Sequence, residues 1–106
     1  CIQTFPVEYG SYRGTNANVI AFMPGTDPST GSVTIGAHYD SRPYGATSTA
    51  PGADDNGSGT AVVLATVKAY AQVLARAPPK RSVYFVGFGA EEVGLFGSPS
   101  FVEALT

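Results

Sequence analysis

Ser82-Val83-Tyr84-Phe85-Val86-Gly87-Phe88 decides the fold. Alternate residues of a strand point to opposite faces, and here both alternating sets are apolar, as in a strand covered by helices on both sides. Immediately upstream, Pro78-Pro79 stops a helix whose apolar face is Val63, Val67, Tyr70 and Leu74, at spacings of four, three and four residues. Asn56, Ser58 and Thr60 all offer N-cap chemistry at its start. Upstream of the helix, residues 39–54 have no periodicity and contain Pro43, Gly45, Pro51 and Gly52, so they form a long loop of the kind that usually carries function. Residues 32–37 form a strand with His38 at its carboxyl end. Strand, loop, helix and strand make a βαβ unit, so 32–37 and 82–88 are expected to be parallel. Residues 2–9 and 19–22 read as an antiparallel strand pair, with 10–18 as a turn region and 26–31 as turn chemistry after Pro24-Gly25. A second helix opens over 98–105, capped by Ser98 or Ser100.

The 106 residues make one small domain of α/β class. A net charge of −2 with no basic stripe argues against nucleic acid as a partner, and no apolar run reaches the ~20 residues of a membrane span. Cys1 is the one cysteine, so no internal disulfide forms. Low charge and many small polar residues suit a secreted protein. The chain begins at Cys1 without a signal-peptide pattern, which reads as a processing boundary.

The one histidine and five of the eight carboxylates fall in three short clusters, His38-Tyr39-Asp40, Asp54-Asp55 and Glu91-Glu92. Ligands of open parallel sheets bind beyond the carboxyl ends of the strands. His38 and Glu91-Glu92 lie at such ends, and Asp55 lies at the start of the intervening helix, on the same rim. Imidazole with carboxylates suits zinc. Asp40, two residues from His38, is placed to accept the second ring N–H of a ligating histidine. Adjacent Glu91 and Glu92 diverge, so that one can bind metal while the other serves as general base. Each cluster alone has a plainer reading as a surface pair, a helix cap or compensation of a helix dipole. Their convergence on one rim argues for a metal site. The short Gly57-Ser58-Gly59 is no phosphate loop, and no serine-hydrolase elbow occurs.

On these residues the chain resembles peptidase family M28 (clan MH), the co-catalytic di-zinc aminopeptidases. The stretches are Gly36-Ala37-His38-Tyr39-Asp40-Ser41, then Ala50 to Gly59 around Asp54-Asp55-Asn56-Gly57, then Ala90-Glu91-Glu92-Val93-Gly94-Leu95-Phe96-Gly97-Ser98. The resemblance implies a three-layer αβα sandwich with a mixed, mainly parallel sheet. It implies that His38 binds one of two zinc ions, Asp55 bridges both, and Glu92 binds the second. Glu91 would be the general base and Asp40 the partner of His38. It also implies a cis bond between Asp55 and Asn56, and hydrolysis of the N-terminal peptide bond of a peptide or protein substrate.

The family completes its site with a further acidic ligand and a histidine downstream. Here no histidine other than His38 exists, and Glu103 is the one acidic residue after Glu92. Each zinc would have two protein ligands, where catalytic zinc takes three. Residues 1–106 are therefore expected to be the N-terminal half of one catalytic domain. They would need the C-terminal half as a partner, and alone would bind zinc weakly and hydrolyse nothing appreciable. Strand 82–88 is expected to keep poorly covered apolar surface. Two alternatives on the same fold are a single-zinc enzyme resembling glutaminyl cyclases and a non-catalytic binding module.

Overall fold

The computed structural model describes residues 1–46, 48–74 and 76–106. Among the described residues, four strands and two helices follow one another in the expected order. They are β1 (Ile2–Tyr9), β2 (Tyr12–Met23), β3 (Ser32–His38), α1 (Ser58–Leu74), β4 (Ser82–Phe88) and α2 (Gly97–Glu103). They form one mixed sheet of spatial order β1-β2-β4-β3. β1 and β2 are antiparallel, β2 and β4 are antiparallel, and β3 and β4 are parallel, with His38 opposite Phe88. The βαβ unit is thus as the apolar pattern predicts.

The hairpin departs from the expectation. β2 begins at Tyr12, so of the expected turn region 10–18 only Gly10 and Ser11 turn the chain. Gly10 has φ +56°, the left-handed conformation a two-residue hairpin loop needs and glycine adopts at low cost. Thr15, Asn16 and Asn18 favour turns in isolation. Here they are held extended by pairing with Pro6, Phe5 and Gln3 of β1. Cross-strand pairing overrides local propensity.

A second departure concerns β4. Val83, Phe85 and Val86 are buried, Val86 completely. One face of the strand meets α1, where Val63 is buried with Ala37, Val83 and Phe85, and Val67 and Tyr70 pack around them. Tyr70 stands edge-on to Phe85 at 5.5 Å between ring centroids. On the other face, Phe101 of α2 meets Tyr84 and Phe88 at 5.6 and 5.9 Å. Phe85→Ala would cost about 3–5 kcal/mol at such a site. Apolar surface does remain open, but on the neighbours of β4: Val19 and Phe22 of β2, Val33 of β3, and Val62 and Leu64 of α1. β4 escapes because it lies inside the sheet with a helix on each face.

The start of α1 is capped by Asn56, whose Oδ1 accepts the Gly59 N–H at 2.9 Å. Ser58 instead donates to the Asp54 carbonyl, and Thr60 donates to the His38 carbonyl at 2.9 Å, tying the helix to the end of β3. α2 has no side-chain cap. It starts at Gly97 behind Phe96, and Ser100 donates back to the Phe96 carbonyl, so neither Ser98 nor Ser100 caps it. Glu91 and Glu92 therefore stand in a turn ahead of α2 and not at a helix start. Among the described residues, no helix is long and apolar enough to cross a membrane.

Candidate metal and catalytic site

The parallel pairing of β3 and β4 ends both strands on one rim, and the three clusters meet there. His38 is the last residue of β3. Its Nδ1 lies 3.1 Å from the main-chain carbonyl of Asp40. A carbonyl only accepts, so Nδ1 carries the proton and Nε2 becomes the atom aimed across the rim. Nε2 stands 3.0 Å from Asp55 Oδ1 and 3.8 Å from Glu91 Oε2.

Asp55 reaches this position from the turn Ala53–Gly57, where the Gly57 N–H closes on the Gly52 carbonyl at 2.7 Å. Asp55 and Asn56 have non-helical backbone angles, and the bond between them is cis, as the resemblance implies. Half of the Asp55 side chain is exposed, and its second oxygen accepts the Tyr44 hydroxyl at 3.2 Å.

Nδ1 and Nε2 of His38 both face acceptors. Burial disfavours the charged ring. The hydrogen bond to the Asp40 carbonyl, the charges of Glu91 and Asp40, and the hydrogen bond to Asp55 outweigh it, so the His38 pKa lies above its ordinary 6.5. The separate hydrogen bond that Tyr44 donates to Asp55 Oδ2 is the first cause holding its phenol above 10.0.

Asp40 has a different geometry from the one its spacing suggests. Its main-chain carbonyl, and not its carboxylate, is the hydrogen-bond partner of His38; the carboxylate is 3.6 Å from Nδ1. The carboxylate instead accepts two main-chain donors, Glu91 N–H at 3.1 Å and Glu92 N–H at 3.0 Å. Hydrogen bonds to a charged acceptor are worth about 1.5–3 kcal/mol each. One residue thus orients the imidazole through its backbone and the Glu91-Glu92 turn through its side chain.

Glu91 and Glu92 do diverge. Glu91 faces His38, whereas the largely buried Glu92 carboxylate lies 3.6 Å from Arg42 Nε. Arg42 also donates to the Glu92 carbonyl and lies 6.0 Å from the centre of the Tyr44 ring. Arg42 and Tyr44 are rim residues that sequence reasoning does not single out. Their loop is marked as functional by its length, but no periodicity assigns side chains within it.

The donors suit a metal in kind. An imidazole nitrogen held in one tautomer and a carboxylate oxygen converge 3.0 Å apart, with a second carboxylate beyond. Among the described residues, no three His, Cys, Asp or Glu side chains form a group that could hold an ion. The pair His38 and Asp55 is what this segment contributes at the centre of the rim.

The model of Peptidase family M28 matches residues 18–106. The chain is 46% identical over 74 residues to "Aminopeptidase YwaD" of Bacillus subtilis, covering 70% of this chain and 14% of that protein. It is 46% identical over 89 residues to "Probable lipoprotein aminopeptidase LpqL" of Mycobacterium tuberculosis, covering 83% of this chain and 16% of the other. Among solved structures, the aminopeptidase from Aneurinibacillus sp. strain AM-1 superposes with a TM-score of 0.67 at 34% identity, over 90% of this chain and 22% of that one. The chain therefore spans between about a seventh and a little over a fifth of the length of these relatives. With its α/β fold, its rim and its match over residues 18–106, the chain belongs to peptidase family M28.

Proposed function

We propose that the protein is a zinc-dependent aminopeptidase whose active site includes this rim. The observation that carries the reading is the convergence of His38, Asp55 and Glu91 at the carboxyl ends of β3 and β4. His38 and Asp55 would hold one zinc, and Asp55 with Glu92 a second, with further ligands supplied from outside these 106 residues. When bound, zinc supplies a Lewis acid and lowers the pKa of water. Glu91 is the general base. It faces the rim next to His38, takes the proton of the attacking water, and returns it to the leaving amine. Asp40 keeps Glu91 in reach by holding both amides of the Glu91-Glu92 pair, and it fixes the His38 tautomer through its carbonyl. Arg42 stands beside the Glu92 carboxylate, which lies 3.6 Å from its Nε. The substrate is a peptide or protein with a free N-terminus. The lipoprotein name of one relative supports a site of action outside the cytoplasm.

The test uses the full-length protein and a chromogenic aminoacyl anilide. Hydrolysis is expected to disappear on chelation, return with zinc, and be absent for the N-acetylated substrate. Equal cleavage of the acetylated compound, or indifference to chelation, would overturn the proposal.

A further inference from the structure

Asn18 is the one polar residue that is completely buried among the described residues, at 0% exposure. It lies on β2 where β4 leaves the sheet, one residue before the β2–β4 ladder starts at Val19 and Gly87. Its Oδ1 accepts the Gly89 N–H at 3.1 Å. Its Nδ2 donates to the Gly97 carbonyl at 2.8 Å and to Gln3 Oε1 at 2.9 Å. A main-chain N–H can only donate and a carbonyl can only accept, so the amide has one orientation, and both its N–H donors are used.

Gly89 and Gly97 are the two ends of the turn that carries Glu91 and Glu92. The side chain of Asn18 thus closes the neck of that turn. Both ends are glycine because each is closely approached: a Cβ on Gly89 would stand 2.4 Å from the Ala17 carbonyl. A Cβ on Gly97 would stand 2.4 Å from the Gly89 carbonyl and 2.5 Å from Asn18 Oδ1. Inside the neck the backbone is held in unusual conformations. Ala90 and Leu95, neither of them glycine, have φ of +55° and +61°. Such residues persist only where the surroundings over-determine them. The turn is fastened by Asn18 at its neck, by Asp40 at Glu91 and Glu92, and by Ala90, Val93 and Phe96 packed on Phe5 and Val7 of β1.

We propose that Asn18 is a positioning residue of the catalytic site, which sets where the Glu91 carboxylate stands by closing the neck of turn 89–97. The proposal rests on the reading of Glu91 as general base. Asn18 touches no reacting atom and acts through the turn. A displacement of about 1 Å at a catalytic group can cost about 100-fold in rate.

The test compares Asn18→Asp, Asn18→Ala and Val83→Ala in the full-length protein. Asn18→Asp keeps the shape and the acceptor for Gly89 but loses donors: a carboxylate has none for Gly97 and Gln3, and a protonated carboxyl has one in place of two. It serves where Asn18→Ala fails to fold. Val83 is buried at the opposite end of β4, so its truncation destabilises the core away from the rim. Asn18→Asp is expected to lower kcat on the aminoacyl anilide by about 10-fold or more. KM and bound zinc should stay within about twofold, well inside that change. Hydrogen exchange at the Glu91 and Glu92 amides should accelerate in Asn18→Asp and not in Val83→Ala, when the two are compared at equal loss of Tm. An unchanged kcat, an equal kcat loss in Val83→Ala, or unchanged exchange at those amides would overturn the proposal. If the native protein does not cleave the anilide, the aminopeptidase reading fails, and the exchange measurement still decides whether Asn18 closes the turn.

Discussion

Turn 89–97 and residues 41–52 of the loop after β3 both lie at the ends of β3 and β4, and they are held in opposite ways. In the turn, the amides of Gly89, Glu91, Glu92, Gly94, Leu95 and Phe96 all find acceptors, and Ala90 is buried. The described residues of the loop are mostly exposed. The loop is joined to the rim through the side chains of Arg42 and Tyr44, and it is braced by Ser41 on the Ala50 carbonyl. On the proposed reading, the first arrangement would fix the base before substrate arrives, and the second would leave the approach to it adjustable. Pre-placed groups lower the barrier because no reorganisation is needed at the moment of reaction. Exposed loops are where specificity is tuned.

Breaking the rigid half should cost most. Asp40→Asn replaces one carboxylate oxygen by an N–H₂ that cannot accept from Glu91 or Glu92. Supporting groups of this kind typically account for about 10–100-fold in activity or metal affinity. A kcat loss in that range is expected for the full-length protein, with KM little changed. Loss confined to KM would mean that the turn does not need its clamp.

The pH dependence gives a sharper but smaller signal. The folded pKa of His38 is raised, so without zinc the charged ring contributes stability that is fully present below 6.5 and is lost as pH rises through the raised value. Zinc requires the neutral ring, so zinc affinity runs the other way and falls as pH drops through that same value. Melting of the zinc-free protein, compared with His38→Gln on both sides of 6.5, checks the first sign. Zinc titration at the same pH values checks the second. A difference between native and His38→Gln that grows with pH would contradict the cluster geometry.

The adjustable half should give the smallest effects on stability and turnover. The Arg42–Glu92 ion pair is half exposed on the arginine side, and such pairs contribute about 0–1 kcal/mol. Arg42→Ala and Tyr44→Phe are expected to change Tm little and to act on KM more than on kcat. A kcat loss as large as that of Asp40→Asn in either variant would erase the distinction between the two regions.

The sequence carries the parts of this picture that depend on periodicity and topology. Two-sided apolar character marks β4, and the helical spacing of Val63, Val67 and Tyr70 marks the face of α1. The strand-end rule then brings His38, Asp55 and Glu91 to one rim. What it does not carry depends on pairing over distance. The first half of β2 reads as a turn because Gly14, Thr15, Asn16 and Asn18 are turn formers, and only the register with β1 makes them a strand. Spacing places Asp40 beside His38 but cannot show that its carboxylate turns to residues 51 and 52 positions away. Arg42 and Tyr44 sit in an aperiodic loop, where no pattern selects one side chain over another.

The most direct test of the account is Glu91→Gln in the full-length protein, with zinc content and aminoacyl anilide hydrolysis measured on the same samples. The amide keeps the size of Glu91 and its contacts in the turn but cannot take a proton from water. Zinc content equal to the native protein, with turnover reduced by about 100- to 10,000-fold, is the predicted result. Turnover within a few-fold of native at equal zinc content would show that Glu91 is not the base and that the chemistry lies elsewhere.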